Sequence, residues 1–105
     1  MANSDGRCDA PPEVTLRYEM AFTLADFQRL LPGVAAVEYD ASLNQFTHVE
    51  NDRCWTVRLA DPRQRAIGRI RLPVVDVVLS FKGYTPAEVD RVMARFFAHF
   101  RRGGG

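Results

Sequence analysis

The C-terminal part of the chain carries the pattern that most restricts its fold. Residues 85–88 (TPAE) combine a helix N-cap, a proline at the first helical position and an acid at the capping-box position. The apolar residues that follow have the spacing of one helix face: Val89, Val92, Met93, Phe96, Phe97 and Phe100. Such a stripe is stable only when another layer covers it, so the sequence predicts a long C-terminal helix that lies flat on a sheet.

The N-terminal part predicts a strand followed by a short helix. Residues 14–22 alternate apolar and polar side chains, which gives a strand with one apolar face. Thr23 is a good N-cap, and Asp26 lies three residues later, where an acid stabilises the positive helix end. We expect Pro32 and Gly33 to end this helix after about two turns.

A tight hairpin is predicted between residues 46–50 and 53–60, joined by residues 51–52 as a two-residue loop. In this register His48 faces Trp55 across the two strands. One face of the hairpin is then largely apolar and points to the core: Phe46, His48, Trp55, Val57 and Leu59. The opposite face is mixed and would form the outer surface of the sheet together with the first strand: Thr47, Val49, Cys54, Thr56, Arg58, Thr15 and Arg17.

The next segment predicts a loop and then more β-structure. Residues 61–65 (DPRQR) are typical of a loop, whereas residues 67–81 are rich in β-branched side chains. The apolar positions change parity at Pro73 and Val74. A bulge or a short turn at this point would explain the change, either within one bent strand or between two short ones.

The resulting order is strand, helix, about four strands, helix. It predicts an α+β domain: an antiparallel sheet of about five strands, with a short N-terminal and a long C-terminal helix packed on one face. This β-α-β4-α order is similar to the helix-grip and TATA-binding-protein-like arrangements, in element order alone, so the similarity implies no function. We expect a flexible leader at residues 1–12, a single domain at 13–102 and a disordered tail at 103–105.

Composition excludes several functional classes. No apolar run approaches the roughly 20 residues of a membrane span, and the net charge of +1 predicts no bulk attraction to nucleic acid. Cys8, Cys54, His48 and His99 are scattered, so neither a disulfide framework nor a metal site is expected. Phosphate-loop, dinucleotide and nucleophile-elbow motifs are absent, so we expect no cofactor, and a non-catalytic protein is favoured over an enzyme. The cytoplasm is the default location.

Three binding functions remain open. The favoured interpretation is a small non-catalytic interaction module that binds an unknown protein, or a second copy of itself, through the outer sheet face. The second is arginine-mediated binding of RNA or of an acidic partner by a local basic patch: Arg58, Arg63, Arg65, Arg69 and Arg71. The third is a small-ligand pocket between the long helix and the sheet, lined by aromatic rings: His48, Trp55, Phe81 and Phe97.

Single residues leave further alternatives. His48 is predicted to be a satisfied histidine at the rim of the core, with a general base or a ligand contact as the functional alternative. His99 is expected to be an exposed helix residue. Asp76, between valines, is expected to point to solvent or to pair with Arg58 or Arg71.

Overall fold

The computed structural model describes residues 12–104 and shows one antiparallel sheet with two helices. In chain order the elements are β1 (Val14–Met20), α1 (Leu24–Val34), β2 (Glu38–Asp40), β3 (Gln45–Glu50), β4 (Arg53–Ile67), β5 (Ile70–Lys82) and α2 (Pro86–Gly104). The strand order across the sheet is β1-β5-β4-β3-β2, and every neighbouring pair is antiparallel. The α+β class with a five-stranded antiparallel sheet is therefore confirmed.

Both helices cover the same face of the sheet, which we call the inner face. The apolar stripe of α2 is buried there as predicted, with Phe96 1% and Phe100 2% exposed. One continuous core joins the two helices to the sheet, and its largest fully buried side chains are Phe27, Phe81, Phe96, Phe100, Leu31, Leu79, Val57 and Val77. Each large side chain buried in this way stabilises the fold by roughly 1.5–3 kcal/mol.

The predicted β3–β4 hairpin is confirmed in full register. His48 lies opposite Trp55, and Glu50 lies opposite Arg53. Asn51 adopts a positive φ of 57°, a conformation that asparagine tolerates better than most residues. The tight loop therefore fixes which side chains of the two strands face the helices.

The predicted loop at residues 61–65 is wrong, because these residues belong to β4. A β-bulge lies between Ala60 and Arg63, and Asp61 takes a φ of 53° within it. Pro62 has no pairing partner on β5, so its missing N–H removes no regular ladder bond. A turn-like composition here marks an irregularity inside a strand rather than its end.

The bulge or turn predicted near Pro73 is also wrong, because β5 runs unbroken from Ile70 to Lys82. Val75, Val77 and Leu79 point to the inner face, whereas Leu72 lies on the opposite, outer face. The apolar residues thus change faces along one strand. Residues 63–74 of this hairpin extend beyond the last β1 pair, Met20 with Val75, and we call them the arm.

The helices differ from expectation at their C-terminal ends. α1 continues through Pro32 and Gly33 to Val34, whose burial (4% exposed) holds the extra turn in the core. A Cβ on Gly33 would lie 2.0 Å from the His99 ring, so the two helices approach closely there and His99 is not the exposed residue predicted. α2 extends to Gly104, where a disordered tail was expected. Residues 1–11 of the predicted leader and Gly105 lie outside the described residues.

Candidate functional site

Two features of the surface are candidates for function: a crevice on the inner side and the arm. The crevice has a volume of about 290 Å³ and lies between α2, the end of α1 and the β3–β4 hairpin. Its walls combine apolar and charged side chains: Val34, Ala35, His48, Glu50, Arg53, Trp55, Tyr84, Glu88, Arg91, Val92 and Arg95.

An ion-pair network built on Arg53 forms one wall of the crevice. Arg53 begins β4, and its guanidinium donates to Glu88 of α2 at 2.7 Å and to Glu50 of β3 at 3.3 Å. The same guanidinium lies 4.4 Å from the centre of the Tyr84 ring, within the range of a cation–π contact. The hydrogen bond to Glu88 raises the pKa of Arg53, so this residue stays charged and holds the sheet to α2.

Glu88 has two roles at this wall because it is also the capping-box acid of α2. It accepts from the backbone N–H of Thr85 at 2.8 Å, and the Thr85 hydroxyl accepts from the Glu88 N–H at 3.2 Å. The Thr85 N–H, followed by Arg53, lowers the pKa of Glu88 to about 2. The carboxylate is therefore committed to the helix cap and to Arg53 rather than to a ligand.

His48 presents one ring nitrogen toward the crevice side. Its Nδ1 lies 2.7 Å from the Ala36 carbonyl oxygen, so this nitrogen carries the hydrogen and donates it. Nε2 lies 3.8 Å from a Glu50 oxygen, and in the neutral ring it is an acceptor. The ring packs on Trp55 at 5.2 Å between centroids, and this supports the predicted rim position of His48.

Arg91 and Arg95 follow Glu88 along the same face of α2, and they carry charge that the described residues do not neutralise. They lie four residues apart on α2, on one face of the helix, and both are exposed. Neither has a hydrogen bond or ion pair with another side chain in the described part of the chain. With Arg53 paired to two carboxylates, the crevice keeps a net charge of +1 when His48 is neutral.

Among the described residues, Tyr84 has the only buried side-chain polar group without a hydrogen bond. The residue is 8% exposed, and its hydroxyl has no hydrogen-bond partner among them. Burial raises the pKa of this phenol, so it is a neutral donor near pH 7. A buried hydroxyl without a partner is unfavourable by about 1–3 kcal/mol, which makes it a candidate contact for a bound molecule.

The structure brings together only part of the predicted aromatic pocket. His48 and Trp55 line the crevice, but Phe81 lies in the core behind Trp55, with centroids 6.5 Å apart. Phe97 contacts Tyr18 of β1 at 5.1 Å, at the other edge of the sheet. The predicted pocket and basic patch both left out Arg91 and Arg95, although these arginines of the last helix have a helical spacing beside the apolar stripe.

The predicted basic patch does not form one surface. Arg63 pairs with Asp76 at 3.1 Å, with Asp61 at 3.3 Å and also with Glu19. Arg65 pairs with Glu19 at 2.6 Å. Asp76 lies on the outer face with its side chain 44% exposed, as predicted, and its ion-pair partner is Arg63 rather than Arg58 or Arg71.

The other three members of the predicted patch lie apart from this cluster. Arg58 lies within the sheet, Arg69 in the hairpin turn and Arg71 opposite Ala66 on the arm. Successive residues of a strand point to opposite faces of the sheet. The strand pairing therefore places Arg58 and Arg63 on the outer face and Arg71 on the inner face. The five arginines therefore do not make a continuous positive surface.

The arm exposes apolar side chains on its outer face. Ile67 and Ile70 are opposite each other at its tip and are 55% and 61% exposed, and Leu72 next to them is 37% exposed. We call these three residues the apolar strip. Large aliphatic side chains grouped in this way on a projecting hairpin are a candidate contact surface.

Cys54 departs from the predicted state of the cysteines. It is buried on the outer face and is disulfide-bonded, so the expectation of unbridged cysteines is wrong for this residue. Cys8 lies outside the described residues. In residues 12–104 no group of three or more His, Cys, Asp or Glu side chains could hold a metal, and no helix is long and apolar enough to cross a membrane.

Comparison with protein-family models, with curated proteins and with solved structures finds no match to this chain.

Proposed function

We propose that the protein is a small non-catalytic interaction module that associates with a second copy of itself through the apolar strip of the arm. The observation that carries the proposal is the exposure of Ile67, Ile70 and Leu72 on one face of a hairpin that projects from the sheet. We keep the helix-grip-like description of the element order, and a cytoplasmic location, as parts of this proposal.

The backbone of the arm supports the same function. Beyond Met20 on one side and Gln45 on the other, its two strands pair only with each other among the described residues. A two-stranded hairpin is marginally stable in water, and its open edges are ready to pair with another chain. A second copy would pair with one of these edges and cover the apolar strip.

The partner we favour is a second copy because an antiparallel ribbon can pair with itself about a two-fold axis, and such symmetric dimers are the commonest oligomers. The charges at the base of the arm do not oppose this contact, since Arg63 and Arg65 are each paired with acids. The same ion pairs make arginine-mediated RNA binding less favoured. Arg69 and Arg71 have no ion pair among the described residues, so RNA binding through these two arginines is the alternative to test.

Sedimentation velocity from micromolar to millimolar protein tests the proposal. We expect association that increases with concentration, and we expect it to be lost when Ile67→Thr and Ile70→Thr are combined, because threonine keeps the β-propensity but removes apolar area. The matched control combines Leu43→Thr with Val49→Thr, which changes two side chains of 53% and 39% exposure outside the arm.

The outcomes are distinct for each interpretation. A protein that stays monomeric at millimolar concentration contradicts self-association. Association lost in the Leu43/Val49 control but kept in the arm variant would move the contact from the arm to the surface around β3. Salt-sensitive RNA binding that is lost in Arg69→Gln with Arg71→Gln would favour the arginine alternative.

A further inference from the structure

We propose that the crevice binds a small organic anion in which a carboxylate is joined to an apolar body. The site does not depend on the arm: its walls come from α2, the end of α1 and the β3–β4 hairpin. The inference therefore stands or fails independently of self-association.

The anionic part of the ligand follows from two arginines that have no partner among the described residues. Arg91 and Arg95 reach the same crevice from successive turns of α2, and in the described structure no carboxylate neutralises either one. Guanidinium groups bind carboxylates through paired, charge-assisted hydrogen bonds. The two acids in the crevice do not compete with such a ligand, because Arg53 holds both Glu50 and Glu88.

The apolar part of the ligand follows from the apolar side chains of the crevice. Val34, Trp55 and Val92 line it beside the charged residues. A volume of about 290 Å³ is at the small end of the range for ligand pockets, so it suits a body of about one ring. An inorganic anion would leave this surface uncovered, whereas a ring would bury it.

The Tyr84 hydroxyl is the independent observation that points to a ligand. Tyr84 is more than nine-tenths buried, it lines the crevice, and its hydroxyl is unsatisfied within the described residues. The hydroxyl is closed off from the crevice in this structure, so a carboxylate or ether oxygen of a bound molecule would accept from it after the Tyr84 ring turns toward the crevice. The Nε2 atom of neutral His48 offers an acceptor in the same crevice, so a ligand could be oriented by one donor and one acceptor.

Phenylacetate is the probe, with two matched molecules that each lack one feature. Phenylacetamide keeps the ring and the shape without the charge, and acetate keeps the charge without the ring. Trp55 is the only tryptophan of the chain and lines the crevice, so its indole N–H resonance reports binding at this place. We expect phenylacetate to shift this resonance in a saturable way and to bind at least roughly tenfold more tightly than either control molecule.

Variants locate the charge contact. Combining Arg91→Gln with Arg95→Gln should weaken phenylacetate binding by roughly tenfold or more, because the paired hydrogen bonds to the carboxylate are lost. The matched control, Arg101→Gln with Arg102→Gln, removes the same charge from two exposed residues of the same helix outside the crevice, and it should leave binding unchanged.

Tyr84→Phe tests the second contact. It should weaken binding by several-fold without lowering the stability of the free protein, because the lost hydroxyl has no partner among residues 12–104. No saturable shift of the Trp55 resonance, equal binding of phenylacetamide, or an equal loss in the Arg101/Arg102 control would each overturn the proposal. Circular dichroism of each variant confirms that it remains folded.

Discussion

The two halves of the β4–β5 hairpin both carry large aliphatic side chains, but one half buries them and the other exposes them. In the half that lies within the sheet, Val57, Val77 and Leu79 are at most 1% exposed beneath the helices. In the arm, Ile67 and Ile70 are more than half exposed, although they are as apolar. The two halves are continuous, and a single bulge between Ala60 and Arg63 separates them.

This difference shows that a strand segment belongs to the core where a helix covers it, and that apolar alternation alone does not decide this. The helices cover the inner face only, and β5 moves its apolar residues to the outer face where that cover ends. An alternation that merely continued would have left the outer face of the arm polar. The change of face is therefore consistent with a surface kept for contact.

The largest expected difference is between the same substitution in the two halves. Leu79→Ala, at a residue 1% exposed, should lower the free energy of unfolding by about 2–5 kcal/mol because it leaves a cavity in the core. Leu72→Ala, at a residue 37% exposed on the same strand, should lower it by less than about 1 kcal/mol in the monomer. Urea unfolding of dilute protein measures both, and equal losses would remove the distinction between the halves.

The next difference concerns two glycines with positive φ, one at each end of β5. At Gly83 (φ 83°) a Cβ would lie 2.7 Å from the Cβ of Arg53 and 3.3 Å from its Cα, whereas at Gly68 (φ 60°) it would meet no atom within 4 Å. Gly83→Ala should therefore lower global stability by about 2 kcal/mol or more, through strain and a clash. Gly68→Ala causes no clash, so its only cost is backbone strain of about 1–2 kcal/mol, and this strain lies within the arm.

Urea unfolding and hydrogen exchange together separate the two glycine effects. Gly68→Ala should speed exchange of the arm amides and leave the unfolding midpoint nearly unchanged. A midpoint that falls equally in both variants would mean that the arm unfolds together with the core.

The stability of the half beneath the helices should depend on pH, because Glu88 of α2 forms an ion pair with Arg53 of β4. The folded-state pKa of Glu88 is about 2, below its ordinary value of 4.5, so its contribution to stability is fully present above pH 4.5. As the pH falls through about 2, the carboxylate is protonated in both states and this contribution is lost. The stability difference between the native protein and Glu88→Gln should shrink over this interval, as measured by urea unfolding.

A difference that stays constant down to about pH 2 would show that the charge of Glu88 does not stabilise the fold. Thr85→Ala is the companion variant, since it removes the hydroxyl that accepts from the Glu88 N–H but keeps the ion pair with Arg53. It should lower stability by about 0.5–2 kcal/mol at neutral pH and retain most of the pH dependence that comes from Arg53.

The smallest effect is expected at the base of the arm, where Arg63 lies beside Glu19, Asp61 and Asp76. Arg63→Gln should lower the urea midpoint slightly at low salt, and the loss should diminish as salt screens the remaining carboxylates. Arg69 lies at the tip of the arm and has no partner among the described residues. Arg69→Gln should therefore change neither the urea midpoint nor its dependence on salt. Salt-independent losses in Arg63→Gln would indicate a packing role for its side chain.

The sequence could predict those parts of the fold that local patterns determine. The two-residue loop set the β3–β4 register, and the capping box with its apolar stripe set α2. The bulge was not predictable in this way, because Asp61 and Pro62 are typical turn residues until a partner strand is seen to continue past them. The exposure of the arm depends on where the helices stop, which no local pattern records.

The site was predicted in part for the same reason. Strand alternation placed His48 and Trp55 on one face, so their meeting in the crevice followed from the register. Whether an arginine is paired depends on which acids the fold brings near it. Arg63 is paired with acids that lie far away in sequence, such as Glu19, whereas Arg91 has no partner among the described residues, and both look alike in the sequence.

Hydrogen exchange across the β4–β5 hairpin, at dilute and at concentrated protein, tests the central claim most directly. The claim is that one half of this hairpin forms the core and the other half is a contact surface. We predict slow exchange at residues 55–59 and 77–81 at every concentration, and arm amides that exchange quickly in dilute protein but become protected as the concentration rises. Arm amides whose exchange does not depend on concentration would contradict the account.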